Sequence, residues 1–133
     1  MIDINPNEID RVLDDAESAV LLFDPRARIF DSEPESLRIN GSIPLPRGEE
    51  LQYFTATLAG GANMAIAVYI SNDYRVAAQR DIPAGENRSE ALYTVTVAVS
   101  TESGADNYEP TDDAEVASLG YAAFLSAVLT YVD

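Results

Sequence analysis

The 133 residues suit a single domain, and 23 Asp and Glu against 8 Arg, with no Lys and no His, give a formal charge of -15. So acidic a chain is repelled by phosphate backbones and anionic lipid, which argues against nucleic-acid or membrane-surface binding. Without His or Cys there is no imidazole or thiolate for catalysis or metal binding and no disulfide, yet 47% apolar residues can build a core.

Asn5-Pro6-Asn7 is a helix-start signal, with Asn5 or Asn7 available as N-cap and proline tolerated in the first turn. Ile9, Val12, Leu13, Ala16, Ala19 and Val20 recur at helical spacing, with Glu8, Asp10, Asp14, Asp15 and Glu17 mostly opposite them. This pattern predicts an amphipathic packing helix over residues 7–21. No positively charged stretch precedes it, which speaks against a signal peptide. Residues 24–50 hold Pro25, Pro34, Pro44 and Pro46 and should be irregular, with short strands around Ala27–Phe30 and Leu37–Ile43.

Core strands are expected over residues 51–100. Leu51–Leu58 alternates, with Tyr53, Thr55 and Thr57 on one side, and Gly60-Gly61 turns the chain. Met64–Ile70 is apolar on both faces, the pattern of a central strand covered on both sides. After a turn at Asn72-Asp73, Tyr74–Ile82 alternates again. A turn at residues 83–87 leads into Ala91–Ser100, where Tyr93, Val95, Val97 and Val99 share a face. Residues 101–115 read as an acidic loop.

Val116–Val132 runs 17 residues without a charge. Asp112 with Glu115 fits a capped helix start, but Tyr121, Leu125, Leu129 and Val132 would make that helix apolar all round. A strand buried on both faces fits equally. A membrane span is the third choice, because the segment carries Ser118, Gly120, Ser126 and Thr130 and no basic flank. Helix and strand both demand protein on two sides, and a second copy of the chain is a natural source of it. Tyr121, Phe124, Leu125, Leu129 and Tyr131 are therefore the candidate oligomer interface. The expected fold is mainly β, an antiparallel jelly-roll-like sandwich with an N-terminal helix. The alternative is α+β, an antiparallel sheet with a C-terminal helix from about residue 112.

The charge is unevenly placed. Residues 1–50 carry 12 acids and 5 Arg, residues 51–101 carry 4 and 3, and residues 102–133 carry 7 acids and no base. The nets are -7, -1 and -7, so acidic flanks enclose a nearly neutral middle. Arg75, Arg80 and Arg88 are expected to pair across strands with Asp73, Asp81 or Glu90. In GADNYEPTDDAE, Asp106, Asp112 and Asp113 are weak Ca²⁺ candidates, since the run lacks the spacing of a calcium-binding loop. No other cofactor is indicated and no catalytic residue stands out. Gly60-Gly61 is followed by no phosphate-binding pattern. Arg as the only base fits a GC-rich or a salt-adapted source.

The stretch IPLPRGEELQYFTATL, with Pro46 and Gly48 before Tyr53-Phe54, resembles the entry to trimeric jelly rolls of the tumour-necrosis-factor and complement-globular-head type. The end, AAFLSAVLTYVD, resembles that family's last strand. The Gly-to-Tyr spacing is longer than usual there, and the aromatics are adjacent rather than alternate. NGSIPLPR, the strands to Ser100 and a helix from Asp112 are similar instead to coat proteins of single-stranded RNA phages. Both resemblances imply a non-enzymatic repeated building block: a virion component (capsid, coat, decoration or tail) or a surface protein, partnered by itself as a trimer or larger and by other virion proteins. Its expected location is the virion or an extracellular surface. The rival reading is an acidic decoy that imitates nucleic acid, binds a basic partner and is cytoplasmic.

Overall fold

The computed structural model of the chain describes residues 5–23, 36–85, 88–101 and 104–132. Helix α1 spans Pro6–Phe23. The Asn5 side-chain oxygen accepts from the Asn7 N–H at 2.8 Å, so Asn5 is the cap, and Pro6 occupies a position with no intrahelical donor to lose. The six apolar positions read from periodicity, Ile9 through Val20, are all buried.

Six strands follow: β1 (Ser36–Pro44), β2 (Glu50–Thr57), β3 (Asn63–Ile70), β4 (Tyr74–Ile82), β5 (Leu92–Thr101) and β6 (Gly104–Pro110). They form one antiparallel sheet in the order β1-β2-β3-β4-β5-β6, each strand paired with its chain neighbour. The chain then enters α2, Ala114–Val132. Asp113, not Asp112, starts this helix: its carboxylate accepts from the N–H groups of Glu115 at 3.0 Å and Val116 at 3.1 Å.

Turn chemistry sets the hairpins. Between β1 and β2 the chain passes Pro46-Arg47-Gly48, with φ of 64° at Arg47 and 79° at Gly48, and the Leu45 N–H donates to the Glu49 carbonyl. Between β2 and β3, Gly60 and Gly61 take φ of 85° and 88°, where a side chain would be strained. Between β3 and β4, the Ser71 hydroxyl accepts from the Asp73 and Tyr74 N–H groups.

Both helices lie on one face of the sheet and pack against each other. The central row beneath them is Ile43, Leu51, Tyr69, Val76 and Val97, paired in register across five strands and buried throughout. From α2, Ala117, Gly120, Tyr121, Phe124 and Val128 reach this core. Gly120 permits the approach, since a Cβ there would stand 3.0 Å from both Tyr74 Cδ1 and Val97 Cγ1. The Phe124 ring lies 6.4 Å from that of Tyr69 and 6.0 Å from that of Tyr121.

The architecture is thus the α+β arrangement with a C-terminal helix. Where a jelly-roll sandwich would place a second sheet, the described residues place two helices. Val116–Val132 is helical, with α1 and the sheet against it, and Ala117, Gly120, Tyr121, Phe124 and Val128 are its buried residues. Residues 101–115 are not simply a loop: β6 occupies part of them, held by backbone pairing to β5 despite the poor strand propensity of GADNYEP. The strand expected at Ala27–Phe30 lies outside the described residues.

Candidate functional site

Strand alternation gives the sheet a second face, opposite the helices. On β2 and β3 it carries Phe54, Ala56, Met64, Ile66, Val68 and Ile70, contiguous through the pairs Phe54–Ile66 and Ala56–Met64. On β4 and β5 it continues with Ala77, Gln79, Thr94 and Thr96. Among the described residues no element packs on this face. Phe54, Met64, Ile66 and Ile70 are half-buried, and Ala56, Val68 and Ala98 are buried. Met64–Ile70, read from sequence as covered on both sides, has the helices on one side, and among the described residues no element packs on the other. The other side is an apolar surface on a chain of charge -15.

Charges on the open face are few and lie at its two ends. Glu50 and Arg75 flank Ile70 at one end, and Asp81 flanks Met64 at the other. Arg75 is exposed, its guanidinium carbon 6.0 Å from the Tyr108 ring centroid. Gln52 donates to Glu50, and Gln79 donates to both oxygens of Asp81 at 3.0 and 2.8 Å, so each carboxylate is oriented by its own strand.

The helix-covered face holds the one buried charge among the described residues. Arg80 Nη1 lies 2.6 Å from Asp10 Oδ1 on α1 and 3.8 Å from Asp14, and the Tyr93 hydroxyl donates to Asp10 at 3.2 Å. Arg80 therefore ties helix to sheet and does not pair across strands with Asp73, Asp81 or Glu90. Beside it is a cleft of about 220 Å³ that includes Glu17 and Tyr53, whose hydroxyl donates to Glu17 at 3.0 Å. Burial above all, then the Glu17 charge, pushes the Tyr53 hydroxyl far above its ordinary pKa. With its arginine neutralised by Asp10 and its carboxylate engaged by a tyrosine, this cluster is organised to hold α1 down.

The other sequence-predicted residues are dispersed. Tyr121 and Phe124 sit inside the subunit, their cover supplied by the chain's own sheet and α1, so they are not available to a neighbour. Leu125, Leu129 and Tyr131 are half-buried along the flanks of α2, and Leu119 is its most exposed large apolar residue at 55%. Asp106 falls on β6, while Asp112 and Asp113 are exposed at the start of α2. No group of three or more metal-ligating side chains is assembled among the described residues. Helix α2 is long and apolar enough to cross a membrane by length and composition alone; here its buried side packs on the sheet.

Sequence reasoning missed the open face because an apolar strand shows only that both faces are greasy, not what covers each. The signal that could have found it was the helix count. Two helices cover about one face of a six-stranded sheet. No protein family, characterised protein or solved structure matches the chain.

Proposed function

We propose that the protein is a non-enzymatic, self-assembling structural component that meets its partners through the open face of its sheet. The observation that carries this reading is the charge-poor apolar surface on β2 and β3, set in a chain that is otherwise strongly acidic. Partly exposed apolar area of this kind is stabilised by covering it, at about 25 cal/mol per Å² removed from solvent. Most of the acids lie elsewhere, with Glu50 and Asp81 at the two ends of this face, so copies can approach through its middle without stacking like charges. A building block of a virion or surface assembly, the class implied by both sequence resemblances, uses a surface in this way.

Sedimentation across NaCl concentrations tests the reading. Raising salt from about 0.1 M to about 1 M shortens the screening length from about 10 Å to about 3 Å. An apolar interface between acidic copies holds or strengthens over this range. Ile66→Asp, on the open face and away from both helices, should yield a folded monomer. Wild-type protein that is monomeric at every salt concentration, or Ile66→Asp protein of unchanged assembled mass, overturns the proposal. Binding to a basic partner that collapses as salt rises favours the decoy instead.

A further inference from the structure

We propose that the groove beside α2 binds an alkylguanidinium group, with the Glu49 carboxylate taking the cationic head and Ala123 and Ala127 taking the alkyl stem. The proposal is independent of the assembly reading, because the groove lies on the helix side of the sheet, away from the open face.

Two hollows of about 340 and 280 Å³ meet along one side of α2 and share Arg47, Glu49, Tyr69 and Ala123 as walls. The first runs toward Tyr131, between α2 and the β1–β2 turn; the second reaches Asp73 at the β3–β4 turn. On the helix side the walls are small: Ala123 and Ala127 lie one turn apart and are half-buried. On the sheet side stands Glu49, whose side chain is 20% exposed. The Tyr69 hydroxyl donates to Glu49 Oε2 at 2.8 Å and fixes the carboxylate, while Oε1 accepts no hydrogen bond among the described residues. One carboxylate oxygen is thus held and the other open, beside an apolar wall. The hollows stand at the small end of the range of about 300–1,000 Å³ for ligand sites. This arrangement suits a cation that carries a hydrocarbon stem.

The chain itself stations a guanidinium at the mouth. Arg47 has φ of 64°, a left-handed backbone that only glycine adopts freely, and its Nη2 stands 4.0 Å from Glu49 Oε1. That separation is too long for a hydrogen bond, and the Arg47 side chain is 85% exposed, so the pair is weak and screened by water. A guanidinium entering the groove displaces Arg47 and reaches the open oxygen. Glu49 and Asp73 outnumber Arg47 on the walls, and the chain's charge of -15 draws cations and repels anions. Guanidinium is favoured over ammonium because it is more weakly hydrated, so less is lost when it is seated beside a partly buried carboxylate. A free alkylguanidine and the arginine side chain of a partner present the same head and stem.

Titration calorimetry of the full chain with butylguanidinium chloride tests the site, with sodium butyrate as the anionic control. Saturable binding of one cation per chain is expected, and no binding of butyrate. Glu49→Gln keeps the shape and an acceptor for Tyr69, and should weaken binding about tenfold or more, the worth of a hydrogen bond to a charged group. Asp112→Asn removes one charge at the exposed start of α2 and should change affinity less than about twofold, which separates the site from the general field. Ala127→Phe fills the groove without altering charge and should block binding. Arg47→Asn tolerates the left-handed backbone, removes the competing guanidinium and should tighten binding. A capped arginine amide that binds as well as butylguanidinium identifies a partner's arginine as the source; binding of butylguanidinium alone identifies a small molecule. Circular dichroism checks that each variant keeps the fold. No saturable binding, butyrate binding in its place, equal losses in Glu49→Gln and Asp112→Asn, unchanged affinity in Ala127→Phe, or weaker binding by Arg47→Asn overturns the proposal. Binding should persist in Ile66→Asp whatever the mass of that variant, and its loss there overturns the independence of groove and assembly.

Discussion

Asp10→Ala and Arg80→Met remove opposite ends of one ion pair, and they should not cost the same. The Arg80 side chain is 9% exposed and that of Asp10 is 21% exposed. Without Asp10, the guanidinium is left with Asp14 at 3.8 Å, and its Nε already has no acceptor among the described residues. A buried charge deprived of its partner costs about 3–5 kcal/mol. Without Arg80, Asp10 still accepts from the Tyr93 hydroxyl and lies near enough to the surface to be hydrated. In Arg80→Met an apolar side chain keeps part of the packing, and the desolvation cost of the guanidinium disappears, so the loss should be about 1–2 kcal/mol. Urea unfolding followed by circular dichroism reads the difference. With a slope of about 2 kcal/mol per M, Asp10→Ala should lower the midpoint by about 2 M and Arg80→Met by less than about 1 M. The reasoning is refuted if Arg80→Met costs as much as Asp10→Ala, because the asymmetry follows directly from which partner is deeper.

Two further outcomes follow from the core. The hydroxyls of Tyr69 and Tyr121 are both pushed up to about 12, chiefly by burial and then by Glu49 and Glu8 respectively. Unfolded tyrosines lose their protons near pH 10, so between pH 10 and about 12 the unfolded chain releases protons that the folded chain retains, and stability falls as pH rises. Urea midpoints should decline across that window and decline less steeply in Tyr69→Phe and Tyr121→Phe; a flat or rising midpoint contradicts the linkage. Gly120→Val should lose about 1–3 kcal/mol by overpacking against Tyr74 and Val97, whereas Ala122→Val on the exposed side of α2 should stay within about 0.5 kcal/mol, as thermal melts can show.

How legible these features were in the sequence depended on whether their causes were local. Helix α1, the Gly60-Gly61 turn and the alternating strands β2, β4 and β5 announce themselves through periodicity and turn residues, because each is specified within a few positions. Strand β6 does not: Gly104, Asp106, Asn107 and Pro110 favour turns, and the segment becomes a strand because β5 offers it a free edge. The C-terminal segment stayed ambiguous between helix and strand because the covers that settle it, α1 and the sheet, lie far away in sequence. The Arg80–Asp10 pair spans 70 positions, so nearby acids were the wrong place to look for its partner. The cover of Tyr121 and Phe124 was hidden for a related reason: an apolar run demands cover, and the chain's own sheet and α1, distant in sequence, supply it to these two residues.

The two-sided apolarity of β3 also bears on how its alignment is specified. In most strands a slip of one residue exchanges an oily side for a polar one, and the mismatch rejects the slip. Here Ala65, Ala67 and Tyr69 would trade places with Met64, Ile66 and Val68, and water would register little change. Alignment must therefore be set at the ends of the strand. The paired glycines before β3 fix where it begins, and the Ser71 hydroxyl, clamping the Asp73 and Tyr74 amides, fixes where it stops. In this protein the information that tells the central strand which side is which is stored in its turns.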